Sequence, residues 1–331
     1  MPGTVGIVAN PASGRDIRRL VAGASVFGNA DKAGMVFRLL AGLGAVGVER
    51  ALMMPAGDGL SRTLHRHLAG GTTQRLPSLA ELDMPLTSTA ADTTRAVERM
   101  CAEGVAAIVV LGGDGTHRVV AKACGDVPIC ALSTGTNNVF PEMREATIAG
   151  IATGLVATGR AGDGALRRAP ALVLERPGAD PDLALVDVAV TSERFVGARA
   201  IWRPDSLREL FVTAADPAAV GLSSLAGMLA PGARGLHVRV TRDRPHAQVE
   251  LQVALAPGLV TTIAVESFEA LAPGARVPLG AGSGSIALDG EREVERRDED
   301  GATVRLTNGP LRIDVDAVMH EHAAASGVGS P

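Results

Sequence analysis

The chain has 331 residues, of which 46% are hydrophobic and 21% charged, so a globular protein with a substantial core and two domains is expected. Lys+Arg 32 against Asp+Glu 36 leaves a net charge of -4, and tyrosine is absent with aromatics at 2%, which argues against nucleic acid as a partner. Cys101, Cys124 and Cys130 fit no metal spacing, no apolar run has membrane-spanning length, and the start MPGTVGIVANP lacks a signal core, so a cytoplasmic location away from membranes is expected.

In chain order, TVGIVAN reads as a short β-branched strand whose loop, PASGRD, leads into a helical IRRLVAGA. DKAGMVFRLLAGLG has helical spacing, VERALMMP turns strand-like, and DGLSRTLHRHLAG is helical again. TSTAADTTRAVERMCAEG carries a helix start at Thr89, an apolar face through Ala96, Val97, Met100 and Cys101, and a stop at Gly104. VAAIVVLGG and VPICALS follow as buried strands. Strands separated by helices of this length predict a doubly wound, mainly parallel sheet over residues 1–160. From about residue 161 the chain turns β-rich, with PALVLE, LALVDVAVT, LHVRVTRD, AQVELQVALA, TTIAVESF, GSIALDGERE, ATVRLTN and LRIDVDAV as strands. Only PDSLRELFVTAAD and AVGLSSLAGML look helical there, and residues 319–331 read as a flexible tail. This gives an α/β N-terminal domain followed by a β-rich C-terminal domain over 161–318.

The run VVLGGDGTHRVV stands out, because a core strand ends in glycines and a carboxylate just where a helix begins. In a doubly wound sheet ligands bind beyond the carboxyl ends of the strands, against helix N-termini. Gly112, Gly113 and Gly115 allow close approach of another molecule, and the helix start suits phosphate. Asp114 would repel phosphate, unless it takes a proton from a hydroxyl being phosphorylated or shares in holding magnesium; the plain alternative is a helix cap. His117 either steers phosphate or covers the helix start. GLGAVG, at residues 42–47, matches a dinucleotide-binding pattern in letters but follows a helix and precedes a strand, so a helix-ending glycine cluster is expected. His65 with His67 and His320 with His322 make poor metal pairs, and Trp202 reads as a packing anchor.

GGDGT at 112–116 resembles the signature of the NAD kinase and diacylglycerol kinase superfamily. NPASG at 10–14 looks like the loop after the first strand in the lipid-kinase branch; STGTNNVF at 133–140 is similar to that branch's GTGN loop, with Asn137 in place of a glycine; LDGERE resembles its DGE element. Longer segments, among them GIVANPASGRDIRRLVAGASVF and VDVAVTSERFVGARAIW, look closest to the acetoin catabolism protein X group, classed with ATP-NAD kinases.

The resemblance implies an ATP- and magnesium-dependent kinase that phosphorylates a hydroxyl of a small molecule. Asp114 would act on the acceptor, and Asn10, Ser13, Gly14, Gly112, Gly113, Gly115, Thr116, Thr134, Gly135, Thr136, Asn137 and Asn138 would hold the nucleotide. Asp289 and Glu291 would bind magnesium through water, or simply form a hairpin turn, since DG between strands is a turn signal. NAD kinases hold their acceptor with an Asn-Glu pair, whereas ALVDVAV at 184–190 offers Val186 and Asp187, which puts NAD in doubt. A soluble acceptor and a homo-oligomer are expected, and the alternatives are a non-catalytic nucleotide-binding regulator or a lipid-kinase-like enzyme.

Overall fold

The computed structural model describes residues 3–10, 27–135, 137–193, 204–290, 292–298 and 301–325. Ser13, Gly14, the segment IRRLVAGA, Thr136, Glu291, and the stretch with Arg199, Trp202 and Arg203 lie outside the described residues.

The first half alternates strands and helices, with β3 and α5 in addition to the elements expected: β1 (Thr4–Ala9), α1 (Asn29–Ala45), β2 (Arg50–Met53), α2 (Gly57–Ala69), β3 (Ser78–Glu81), α3 (Ala90–Ala102), β4 (Ala107–Gly112), α4 (Asp114–Ala123), β5 (Ile129–Ser133) and α5 (Ala146–Ala157). These strands pair in parallel in the order β3-β2-β1-β4-β5. Both faces of β1, β4 and β5 are buried, so their apolar residues run almost without interruption, whereas β3 at the edge is mostly exposed. Val109 and Leu111 pack on the side of α1, α2 and α5, while Ile108 and Val110 pack on the side of α3 and α4. Each fully buried Leu or Ile there contributes about 1.5–3 kcal/mol. The thiols of Cys124 and Cys130, pushed up to about 11 by burial, belong to these layers as inert core groups. GLGAVG falls inside and just after α1, with Gly47 in the left-handed region that ends the helix (φ 87°).

The second half supplies β6 (Leu166–Arg176), β7 (Ala179–Ala184), β8 (Asp187–Thr191), β9 (Leu207–Ala214), α6 (Leu222–Leu229), β10 (Arg234–Val240), β11 (Val249–Ala256), β12 (Leu259–Ala270), β13 (Arg276–Pro278), β14 (Gly284–Leu288), β15 (Arg292–Arg296), β16 (Thr303–Ile313) and α7 (Val315–Ala325). Its antiparallel sheet runs β11-β12-β10-β9-β8-β14-β15. PDSLRELFVTAAD, expected as a helix, is instead β9, held between β8 and β10. Ladder pairing on both sides outweighs the helical preference of Leu, Arg and Glu in that run.

Two further differences concern the domain division. β16, β6, β7 and β13 add to the first sheet, with β16 beside β5, so that sheet extends across the boundary placed at 160/161. The tail expected from 319 is helical as far as Ala325, because Val315 and Val318 bury themselves in the same core as α5. The two sheets meet through Leu172 and Leu174 of β6, Val188, Phe211, Ile286 and Leu288. The start of β8, at Asp187, lines the same cleft as Asp114 after β4.

Candidate functional site

The strand order reverses between β1 and β4, the place where a doubly wound sheet offers a crevice at the carboxyl ends of its strands. Asn10 follows β1, and its amide Nδ2 donates to Thr116 Oγ1 at 3.3 Å, which bridges the crevice. Lys32 of α1, 1% exposed, donates to the Asn10 carbonyl at 2.9 Å and fixes the same loop from beneath. No sequence pattern singled out Lys32, which sits in the polar first turn NADK.

β4 ends at Gly112 and α4 begins at Asp114, with Gly113 between them as helix cap. Gly113 has no side chain to offer, so the first amide N–H groups of α4 carry no side-chain cap. This leaves the positive end of the helix dipole for a ligand. A Cβ at Gly112 would lie 2.7 Å from Thr116 Cβ, too close for any side chain, and one at Gly113 would lie 3.0 Å from Asn138 Oδ1, a tight fit that a small shift of the Asn138 side chain relieves. Gly115 and Thr116 are buried in the first turn behind them.

The Asp114 carboxylate is not the cap of its helix. It accepts hydrogen bonds from the backbone of Phe140 (2.8 Å) and Val139 (3.1 and 3.2 Å), in the loop after β5. The negative charge is thereby drawn to the loop beyond β5. The same loop is braced internally: Asn138 Nδ2 donates to Ser133 Oγ at 2.7 Å and to the Gly135 carbonyl at 3.3 Å, while the Thr134 amide donates to Gly112. Asn137 is half-buried, and its side-chain oxygen is shielded from solvent without a hydrogen-bond partner.

Asp289 comes from the far half. It sits with Gly290 in the hairpin between β14 and β15, both at positive φ (51° and 66°), so the turn reading of DG describes the backbone. Its buried carboxylate accepts from the backbone N–H groups of Leu185, Val186 and Asp187 at 2.8–3.2 Å. Burial pushes its pKa up to about 6, against the pull of those amides and of Arg118. Arg118 Nε stands 3.9 Å from Asp289, and its Nη1 is buried without a partner. Asp289 therefore clamps the residue 185–187 backbone onto α4, a role that the metal reading of LDGERE did not include. Asp114, Arg118 and Lys122 recur every four residues on α4, and Lys122 pairs with Asp182 of β7 at 2.8 Å. That spacing, visible in DGTHRVVAK, marks one helix face turned to the second half, and sequence reading passed over it.

Asp114, Asn137, Val139, Val186, Asp187 and Asp289 line one cleft, closed on the far side by residues 220–222, Leu255 and Ala256. It encloses about 40 Å³. The segment matched to the acceptor-binding pair of NAD kinases thus faces Asp114 directly. Among the described residues no three Asp, Glu, His or Cys side chains converge as a metal cage. Magnesium carried by nucleotide phosphates, with one or two carboxylates and water, needs no such cage. The loop GAGSGS lies elsewhere, with the Gly280 amide on Glu209.

His117 is fully buried, with Nδ1 on the Gly113 carbonyl at 2.8 Å and its ring 5.7 Å from that of Phe140. Burial pushes its pKa down from 6.5 to about 4, helped by Arg312 and opposed by the bond to Gly113. It is a neutral strut beneath the turn at neutral pH. Since the folded value lies below the unfolded one, the unfolded chain takes up the proton first, and stability is lost as pH falls from 6.5 towards 4. Asp289 acts oppositely, losing stability as pH rises towards about 6. Urea denaturation of wild type and His117→Asn should show the variant gaining relative to wild type between pH 7 and pH 4.5; a pH-independent difference would contradict the assignment.

This arrangement, a doubly wound sheet with a glycine turn at its switch point and a facing β-rich half, is that of a kinase-like nucleotide fold. Residues 5–161 match the ATP-NAD kinase N-terminal domain, and residues 171–309 match the acetoin catabolism protein X C-terminal domain. The chain belongs to the acetoin catabolism protein X family: it is 47% identical to "Acetoin catabolism protein X" of Cupriavidus necator, over 95% of this chain and 91% of that one. A solved structure of a diacylglycerol kinase from Bacillus anthracis covers 96% of this chain and 98% of its own, at 12% identity and a TM-score of 0.44. A second structure from the same organism has 13% identity and a TM-score of 0.49 over the same shares. No helix among the described residues is long and apolar enough to cross a membrane.

Proposed function

We propose that this protein is an ATP- and magnesium-dependent kinase that phosphorylates a hydroxyl group of a soluble small molecule. The observation that carries the reading is the placing of Asp114 at an uncapped helix N-terminus, on the wall of a cleft against the second sheet. The uncapped amides of α4 bind phosphate, with Asn10 and the 134–138 loop completing the nucleotide side. Magnesium, when bound with the nucleotide, neutralises charge on the phosphates. Asp114 orients the acceptor hydroxyl and takes its proton, and its bonds to the Val139 and Phe140 amides hold it in place. A carboxylate is a weak base near neutral pH, but it suffices where the proton leaves late in a loose transition state. A homo-oligomer in the cytoplasm is part of the same proposal.

The reading is tested by following ATP consumption with purified protein, magnesium and a panel of soluble hydroxyl compounds that includes NAD and acetoin. ATP binding with no transfer to any member would favour a nucleotide-binding regulator. NAD itself should be a poor acceptor, because Val186 cannot hydrogen-bond a nucleoside where NAD kinases carry asparagine. NADP formation should fall at least about 100-fold below that of an authentic NAD kinase. Comparable turnover would show that the Val186–Asp187 argument is wrong.

A further inference from the structure

We propose that Arg312, near the end of β16, is a positioning residue for the transfer: it steadies the Phe140 ring and, through the Phe140 amide, directs the Asp114 carboxylate. This rests on the kinase reading above and adds to it a residue that lies outside every glycine-rich motif.

The direction of the Asp114 carboxylate depends on the loop after β5. Phe140 N–H donates to Oδ1 at 2.8 Å, and Val139 N–H lies within 3.2 Å of both oxygens. The place of the Phe140 amide is therefore part of the geometry of the reaction. Two groups bear on the Phe140 ring, which is itself buried. One is His117, on the same helix as Asp114, with ring centres 5.7 Å apart. The other is the Arg312 guanidinium, 5.4 Å from the ring centre, within range of a cation–π attraction. Arg312 reaches this place because β16 pairs beside β5, with Arg312 opposite Ile129.

Arg312 is held in turn. It forms an ion pair with Glu142, whose backbone closes the base of the loop by bonding to Ala131 and Ser133 at 3.1 and 2.8 Å. Glu142 also accepts from Arg144 at 2.9 Å, and Arg144 forks onto Asp316 of α7 with two bonds of 2.7 Å. A lone surface ion pair has little hold on its partners, whereas a guanidinium fixed by a braced carboxylate keeps one position over the ring. Arg312 is not among the residues that line the cleft, so it acts through Phe140 and not on the acceptor.

The test combines Arg312→Met, Arg312→Lys, Asp114→Asn and the double variant Arg312→Met with Asp114→Asn, all in the full chain. Hydrogen exchange of the peptide over residues 134–141 reads the loop, calorimetry reads ATP binding, and kcat is measured with the acceptor that the panel identifies. Arg312→Met should speed exchange of the Val139 and Phe140 amides about tenfold and leave β4 and β5 as protected as before. It should lower kcat about tenfold and leave the Kd for ATP within about twofold, since Asn138 is braced separately by Ser133 and Gly135. Arg312→Lys, which keeps a cation for the ring, should stay within about threefold of wild type in kcat. In Asp114→Asn protein, Arg312→Met should change kcat by less than about twofold, because the group it directs is already gone. A residue that merely supports the fold would cost the same factor in both backgrounds. If Arg312→Met does not fold, Arg312→Gln carries the same comparison.

Unchanged exchange at these amides, unchanged kcat, equal losses in Arg312→Met and Arg312→Lys, or a loss that recurs in full in Asp114→Asn protein would each overturn the role of Arg312 and leave the kinase reading standing. Wild-type protein that binds ATP but transfers to no acceptor would overturn the kinase reading, and this role with it.

Discussion

Replacing Asp114 with asparagine should lower kcat by about 10²–10⁴-fold while leaving ATP affinity equal or slightly raised. The rate effect follows from the loss of the group that takes the acceptor proton. The affinity effect follows from removing a negative charge beside the phosphates. The substitution is not silent in the structure: an amide oxygen in the Oδ1 place still accepts from both Val139 and Phe140, but the NH₂ then stands where the second carboxylate oxygen accepts from Val139. Thermal unfolding of the variant should accompany the kinetics and calorimetry, so that a displaced loop is recognised. If Asp114 mainly helps to hold magnesium, magnesium-dependent ATP binding should weaken instead. Near-normal turnover with normal binding would reduce the carboxylate to a brace for the loop after β5.

Gly113→Val should abolish measurable ATP binding, a loss of at least about 100-fold, and leave the fold intact. Gly113 has φ -94° and ψ -176°, extended values open to any residue, so valine brings no backbone strain. The obstacle is space. The new Cβ would lie 3.0 Å from Asn138 Oδ1, and the two methyl groups beyond it would crowd the turn where phosphate meets the first amides of α4. Losing two or more charge-assisted hydrogen bonds accounts for the magnitude. Calorimetry on folded Gly113→Val protein is the measurement, and unchanged affinity would remove the nucleotide from this turn.

The carboxylate in the glycine turn after β4 shows where the sequence stops being legible. GGDGT stood out because a continuous apolar strand breaks into glycines and then into helical spacing, all within twelve residues. The direction taken by the Asp114 side chain has no such signature. Its partners lie 25 and 26 residues further on, and only the parallel pairing of β4 with β5 brings them to it. LRELFVTA was misread for the same reason: its composition suits a helix, but its neighbours on both sides are strands. β3, four residues on the sheet edge, had too little pattern to be noticed. The end of the chain looked too small and polar to order, yet Val315 and Val318 seat a helix on the core, and Arg144 reaches across to Asp316 at 2.7 Å.

By itself, then, the sequence determined what short-range chemistry can write: the alternation of strands and helices from β1 to β5 apart from β3, the glycine turns between them, and the residue types offered at each turn. Those signals are local because backbone geometry and side-chain periodicity act over a few residues. Only the tertiary structure decided that β16 inserts beside β5, that Asp289 clamps residues 185–187 beneath Arg118, and that Asn137 and Asp187 share a cleft with Asp114. Such outcomes depend on which distant groups are buried together, and the hydrogen-bonding demand of a buried polar group is met by whatever the fold places beside it.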